Sequence, residues 1–370
     1  MSTVQASDIK FSGFISVGGG IVDDDKGIAY NDYSEKDLTL NKNLLGLQAE
    51  GKISDELTAT AQVIARSSND YQLNAEWAYL TWQASDNTKI RVGRLRTPFY
   101  MYSDSLDVGY SYVWITPPSE VYSVPFNNVD GVDIYTTATL GIFDTSLQAY
   151  FGSFEDTLDF QGTDAATKTR NQIGLAATIG KDWWTFRAAY HQSDLTIDVP
   201  AFAPLVAGLD FFGGDSSKLI TEEDRATFVD FGLNIDTGTF VGAVEHTELT
   251  VDDSFIADNI REYVMGGVRM GEFLVHVTAA RAKDELPDSD PAAGITPSMF
   301  NQPLLDGVAE IRASGVTKRN VVTLGTRWDV TAGTALKLEL SSVKLSGHDP
   351  ELTKAEREQK ILAVALHTVF

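Results

Sequence analysis

No cysteine occurs in the 370 residues, which excludes a disulfide framework and any thiolate metal site. No stretch approaches the ~20 consecutive apolar residues that a membrane-spanning helix requires. Positive charge is scarce: 29 Lys and Arg face 52 Asp and Glu, for a net charge of -23. That balance argues against nucleic acid or an anionic membrane surface as partners. The five histidines (His191, His246, His276, His348, His367) are scattered, and Glu245-His246-Thr247-Glu248 lacks the second His of a zinc-protease helix. The stretch from Gly162 to Thr169 ends like a phosphate-binding loop but carries Thr167 where the second glycine is required, and Gly18-Gly19-Gly20 forms no dinucleotide fingerprint. No Ser/His/acid constellation stands out, so the chain is not expected to be an enzyme, and no cofactor is implied. The opening Met-Ser-Thr-Val-Gln-Ala-Ser lacks a basic start and an apolar core, so it reads as a mature sequence with an initiator Met rather than a secretory leader.

What the chain has instead is alternation. Val229, Phe231, Leu233 and Ile235 oppose Asp230, Gly232 and Asn234; Leu336, Leu338 and Leu340 oppose Lys337, Glu339 and Ser341. Asn171 to Ile179 and Leu57 to Arg66 keep the same period of two. Such runs predict about sixteen strands over a single all-β domain, residues 1–370, and helical periodicity is scarce. Short turns fall at Ser54-Asp55-Glu56, Ser85-Asp86-Asn87, Gly141-Ile142, Gly180-Lys181-Asp182, Asp236 to Thr239, Gly271-Glu272 and Val330 to Thr334. Mostly longer, more polar links alternate with them: 22–43, 68–72, 97–129, 155–170, 194–225, 251–260, 284–319 and 346–359. A transmembrane antiparallel β-barrel has this organisation, with short turns at the periplasmic rim and long loops outside. Phe143, Trp183, Trp184, Phe240, Phe273 and Trp328 all adjoin short turns, where an interfacial girdle belongs. The faces opposite the apolar stripes carry Arg66, Glu76, Gln148, Arg187, Asp230, Glu245, Lys337 and Glu339. A dry core holding so many unpartnered polar groups would cost several kcal/mol each, whereas a water-filled lumen removes that cost. The alternative fold is a soluble acidic carbohydrate-binding β-protein.

The chain closes on Leu-Ala-Val-Ala-Leu-His-Thr-Val-Phe, with Leu362, Val364, Leu366 and Phe370 on one face and Ala363, Ala365 and His367 on the other. This resembles the closing strand of Gram-negative outer-membrane barrels, and the resemblance makes Phe370 the signal read by the assembly machinery. Lys89-Ile90-Arg91-Val92-Gly93-Arg94-Leu95-Arg96-Thr97-Pro98-Phe99 is the densest basic stretch and leads into an aromatic-rich link. Here the chain resembles the general-porin superfamily, most closely porins of marine gammaproteobacteria, whose third loop folds into the lumen against an arginine-bearing wall. The resemblance implies an outer-membrane porin, a homotrimer among outer-membrane lipid and lipopolysaccharide, passing small hydrophilic solutes. A substrate-specific sugar or anion channel is the alternative.

On this view residues 97–129 form the constriction loop. Arg66 and Arg91 reach the lumen on strand parity, with Arg94 joining them if Gly93 shifts the strand, and Arg187 lies on the same parity farther round. Asp104, Asp107 and Glu120 are the loop-side acids. Tyr100, Tyr102, Tyr110, Tyr112 and Trp114 either pack the loop against the wall or offer a sugar-stacking surface. Acidic clusters, among them Asp23, Asp24 and Asp25 and the pair Asp252 and Asp253, read as solvated loops or as Ca²⁺ or Mg²⁺ bridges to lipopolysaccharide phosphate. The acidic excess weighs against the arginines at the neck, and a weak to moderate cation preference is expected.

Overall fold

The computed structural model describes residues 9–23, 33–34, 37–160, 163–288, 290–314, 316, 318–345 and 358–370. Among them the chain forms sixteen strands, each paired antiparallel with its sequence neighbours and closed into a barrel by the first and last. They are β1 (Ile9–Val22), β2 (Leu44–Lys52), β3 (Leu57–Arg66), β4 (Leu73–Ser85), β5 (Thr88–Arg96), β6 (Asn128–Leu140), β7 (Phe143–Phe160) and β8 (Thr163–Lys181). The second half comprises β9 (Trp184–Asp198), β10 (Thr221–Asp236), β11 (Phe240–Val251), β12 (Asp258–Met270), β13 (Phe273–Glu285), β14 (Lys318–Thr331), β15 (Thr334–Leu345) and β16 (Glu358–Val369).

Closure matters because lipid offers no partner to a free strand edge. The seam runs from Phe14↔Val369 to Val22↔Ile361. Gly13 and Phe370 exchange both backbone hydrogen bonds, at 2.8 and 2.9 Å. The Phe370 ring lies over Gly13, where an added Cβ would stand 2.6 Å from it, so a glycine is needed there for the terminal aromatic to seat.

Alternation sorts the wall into two faces. Leu45, Leu47, Ile134, Leu338, Leu362 and Leu366 are exposed on the outside, as lipid-facing residues must be. Facing inward are Ser16, Thr60, Gln62, Ala363, Ala365 and His367, all buried, joined by polar cross-strand pairs such as Gln62–Gln48 at 3.0 Å and Thr323–Ser341 at 2.8 Å. At the short-turn rim the aromatics pair: Phe273 stacks on Trp328 with centroids 5.8 Å apart, and Phe143 meets Trp184 edge-on at 6.0 Å.

The seven short turns fall where expected, but the opposite rim differs in two respects. Residues 155–170 are not a loop: β7 and β8 continue to Phe160 and from Thr163. Register shifts between Gly152 and Phe154 and between Arg170 and Ile173 break the period of two there, and acids and threonines are interspersed among its apolar residues, so alternation is hidden. Two long links also hold helices, α1 (Ala203–Phe212) and α2 (Gln302–Ser314). Phe202, Leu209, Leu219, Phe255, Ile295 and Val308 bury together around them, forming an apolar roof over one side of the mouth.

Candidate constriction site

The third long link, residues 97–127, leaves β5 after Arg96 and returns to β6 at Asn128. Its sequence cannot continue a strand. Pro98, Pro117, Pro118 and Pro125 withhold ladder donors, and local bonds fold the segment on itself. Tyr100 N donates to Ser103 Oγ at 2.8 Å, Val121 N and Tyr122 N both reach the Pro118 carbonyl at 3.0 Å, and the Tyr100 hydroxyl accepts Val124 N at 2.9 Å.

The folded segment lies inside the barrel, held by polar side chains of the far wall. Arg187 on β9 donates to the carbonyls of Pro98 and Phe99 and pairs with buried Asp230. Glu245 on β11 accepts Met101 N at 2.7 Å and the Tyr122 hydroxyl at 2.6 Å. Trp114 Nε1 donates to Thr278 at 2.7 Å, and Ile115 N to Glu339 at 2.8 Å. Lys337 on β15, fully buried, donates to the carbonyls of Gly109, Tyr112 and Trp114. Arg327 on β14 donates to the carbonyls of Tyr110 and Tyr112 at 2.7 and 2.9 Å. Gly109 is obligatory here, because a Cβ on it would stand 2.1 Å from the His367 ring on β16. The tyrosines and Trp114 therefore pack the loop: Tyr100, Tyr112 and Trp114 are buried, and Trp114 meets Tyr263 edge-on at 5.3 Å. Tyr102 and Tyr110 are partly exposed.

The near wall clamps the loop by charge. Asp107 accepts Arg66 at 2.7 Å and Arg96 at 2.5 Å, while Glu76 lies 2.5 Å from Arg66 and 3.5 Å from Arg96. Two guanidiniums and two carboxylates thus compensate one another, as buried charges must. Burial pushes the Asp107 carboxyl up, but Arg96 and Arg66 outweigh it and hold the group below its ordinary 3.8.

The expected site residues divide accordingly. Arg66 and Asp107 come together as the clamp, and Arg187 is an anchor beneath the loop. Glu120 is buried and accepts Arg319 Nε at 2.9 Å, so it fixes the loop's return and lines no passage. Arg94 stands on the outer face. Gly93 does adopt a φ of 137°, but the register runs through it unbroken, with Val92↔Val132 and Arg94↔Asp130. Arg94 accordingly keeps the outward face of Val92 and pairs with exposed Asp130 at 2.8 Å. Arg91 faces inward, with Nε 2.9 and 3.1 Å from the two oxygens of Asp133, which also accepts Gln148 at 2.7 Å.

Asp104 and Lys89 have no ion-pair partner among the described residues. Asp104 is exposed on the loop and acts electrostatically on Lys89, Arg91 and Tyr79 of the opposite wall. Lys89, whose ammonium lies 4.7 Å from the Tyr135 ring centre, was not singled out from sequence although it shares Arg91's parity two residues earlier. Lys89 and Arg91 on β5 and Asp104 on the loop thus bring charge of both signs within electrostatic range of one another. Of the acids suspected of bridging cations, Asp253 pairs with Lys218, and Asp23 accepts Lys360 N at 2.7 Å. Asp252 is exposed, and Asp24 and Asp25 lie outside the described residues. Among the described residues no three acidic or histidine side chains converge as a metal site requires.

The family model described as Gram-negative porin matches residues 1–365. No curated protein matches the sequence. Among solved structures, the outer-membrane channel DcaP of Acinetobacter baumannii is similar at a TM-score of 0.61 and 12% identity, covering 100% of this chain and 99% of that one. An anion-selective porin from Comamonas acidovorans is similar at 0.57 and 12% identity, over 98% and 99%. OmpT of Vibrio cholerae, solved in a trimer form, is similar at 0.52 and 11% identity, again over 98% and 99%.

Proposed function

The chain belongs to the Gram-negative porin family, and from that premise we propose that solutes cross its barrel between Asp104 and the wall bearing Lys89 and Arg91. The protein is an outer-membrane channel, with the short turns at the periplasmic rim and the long links outside. The observation that carries the proposed route is compensation. Arg66, Arg91, Arg96, Arg187 and Arg261 each pair with a carboxylate. Lys89 and Asp104 keep their charges facing one another instead. Fixed charges of opposite sign across a narrow wet gap orient water and dipolar solutes and disfavour apolar ones. The passage therefore suits small hydrophilic solutes and ions. With the neck near neutrality, the acidic excess of the whole chain, -23, leaves a weak cation preference. The role is transport alone, without catalysis.

Reconstitution into planar bilayers tests this reading. Stable ohmic steps with a slight preference for K⁺ over Cl⁻ are expected, and correctly folded protein that conducts nothing would falsify it. The same reading assigns a homotrimer. Small residues on the outside of β2 and β3 (Ala49, Gly51, Ala59, Ala61) permit close wall-to-wall packing. Crosslinking in detergent should trap a trimer; a monomer alone would count against it.

A further inference from the structure

On the far side of the loop from Asp104, a cavity of about 290 Å³ lies between the loop's two ends and the inner faces of β7 to β12. Phe99 and Phe126 of the loop bound it, with Leu195, Phe228, Leu249 and Phe255 opposite. Polar residues such as Ser16, Thr60, Gln62 and Ser341 face inward on other strands. Here Leu195 and Ile197 of β9, Ala226 and Phe228 of β10 and Leu249 and Val251 of β11 line the cavity, beside the polar Ser193 and Thr247. Water gains little from the apolar part of such a surface, and an apolar cavity of about half this volume already accepts benzene-like guests.

The polar groups at the boundary define what the guest lacks. Arg261 is committed to Asp284 at 3.1 and 2.7 Å and to the Glu120 carbonyl at 3.4 Å. Gln172 is committed to Tyr150 at 3.3 Å and Thr169 at 3.2 Å, and the His191 ring bonds Tyr150 at 2.9 Å. No charge is left to neutralise an ionised guest. What remains is small: the hydroxyl of Ser193, the oxygen of Thr247 as an acceptor since its proton goes to the Arg261 carbonyl at 3.4 Å, Nε2 of the His191 ring, and the carbonyl oxygen of Asn259, whose amide nitrogen is bound to the Ala257 carbonyl at 2.5 Å. Phe99 and Phe228 meet edge-on at 5.1 Å and present an aromatic wall. We propose that this cavity binds an uncharged one- or two-ring aromatic molecule carrying a single hydroxyl or amine, held by ring contacts with Phe99 and Phe228 and a hydrogen bond to Ser193, Thr247 or Asn259. The site is separate from the Asp104 passage, so ligand binding there does not require that solutes use that passage.

The probe is 6-bromo-2-naphthol, neutral at pH 7. In crystals of the intact protein soaked with it, anomalous bromine density is expected among Phe99, Phe228 and Phe255. Equilibrium dialysis against protein-free micelles of the same detergent should show one naphthol bound per chain above the micelle background. Thr247→Trp, which fills the cavity, should weaken binding at least tenfold while leaving single-channel conductance at the wild-type value. If that variant does not fold, Ser193→Phe is used with the same expectation. Bromine confined to the detergent belt or to the Asp104 passage, or equal binding by wild type and a folded cavity-filling variant, overturns the proposal. Loss of conductance in the wild type would instead overturn the channel reading, with the dialysis result standing by itself.

Discussion

Replacing Asp104 with asparagine removes the one loop carboxylate that faces the passage without an ion-pair partner among the described residues, and leaves Lys89 opposite it uncompensated. An ion passing about 6 Å from a unit charge in water feels roughly 0.7 kcal/mol, and about half of that once salt at 0.1 M screens it. Cations and anions respond with opposite signs, so the K⁺:Cl⁻ permeability ratio should fall roughly three- to tenfold. Across a tenfold KCl gradient the zero-current potential should move by roughly 20–45 mV toward anion preference. Lys89→Gln should move it the other way by a similar amount, because the charge lost has the opposite sign and lies across the same gap. Arg91→Ala is a poorer probe. It strands buried Asp133 beside Gln148, and breaking a buried pair costs about 3–5 kcal/mol, so selectivity and folding would change together. Measured zero-current potentials that stay fixed in both Asp104→Asn and Lys89→Gln would refute the passage drawn here.

Other outcomes follow from the same geometry. Arg94→Ala should leave the zero-current potential at the wild-type value, since its guanidinium faces outward; a shift as large as that of Asp104→Asn would place it in the lumen after all. Asp107→Ala frees Arg66 and Arg96 from the loop and should produce flickering subconductance states in single-channel records, with a stability loss of about 3–5 kcal/mol for the broken buried pairs. The Asp107 carboxyl is held below its ordinary value of 3.8, so the clamp stabilises the fold above that pH and is lost as the pH falls through the depressed value. Steady records at pH 4 and flicker only in stronger acid are expected. Trp114→Ala removes a buried indole from between loop and wall and should cost about 3–5 kcal/mol, read as a lowered temperature for the heat-induced gel shift. Phe370→Ala uncovers Gly13 at the seam and should reduce the amount of protein assembled in outer membranes, measured by fractionation.

The barrel was legible because closure in lipid enforces two regularities at once: alternation along each strand and alternation of link length. Both survive wherever the chain crosses the membrane, which is why the seven short turns could be placed. They fail beyond it. The extended β7–β8 hairpin is rich in acids and threonines and bulged at Ser153 and Asn171, so residues 155–170 read as a loop. The helices in the two long links were hidden because their apolar residues face a roof that only the folded mouth supplies. At the constriction, parity alone placed Arg66 and Arg91, and would have placed Lys89. Pairing was not legible. Asp133 meets Arg91, and Asp130 meets Arg94, only through the β5–β6 register, which no local pattern states. Arg94 was expected inside only if Gly93 shifted the strand, and the ladder runs through Gly93 without a shift.

The far wall holds the pore loop chiefly by its main chain: Lys337, Arg327 and Arg187 donate to carbonyls of Gly109, Tyr110, Tyr112, Trp114, Pro98 and Phe99. Carbonyls are the same whatever side chain they carry. The grip is therefore largely indifferent to the identity of residues such as Asp104 and Ser105, which point away from it. A lineage under pressure to admit a different solute can exchange those side chains one at a time without loosening the loop. What a cell takes up through this barrel can thus drift quickly while the barrel itself stays put.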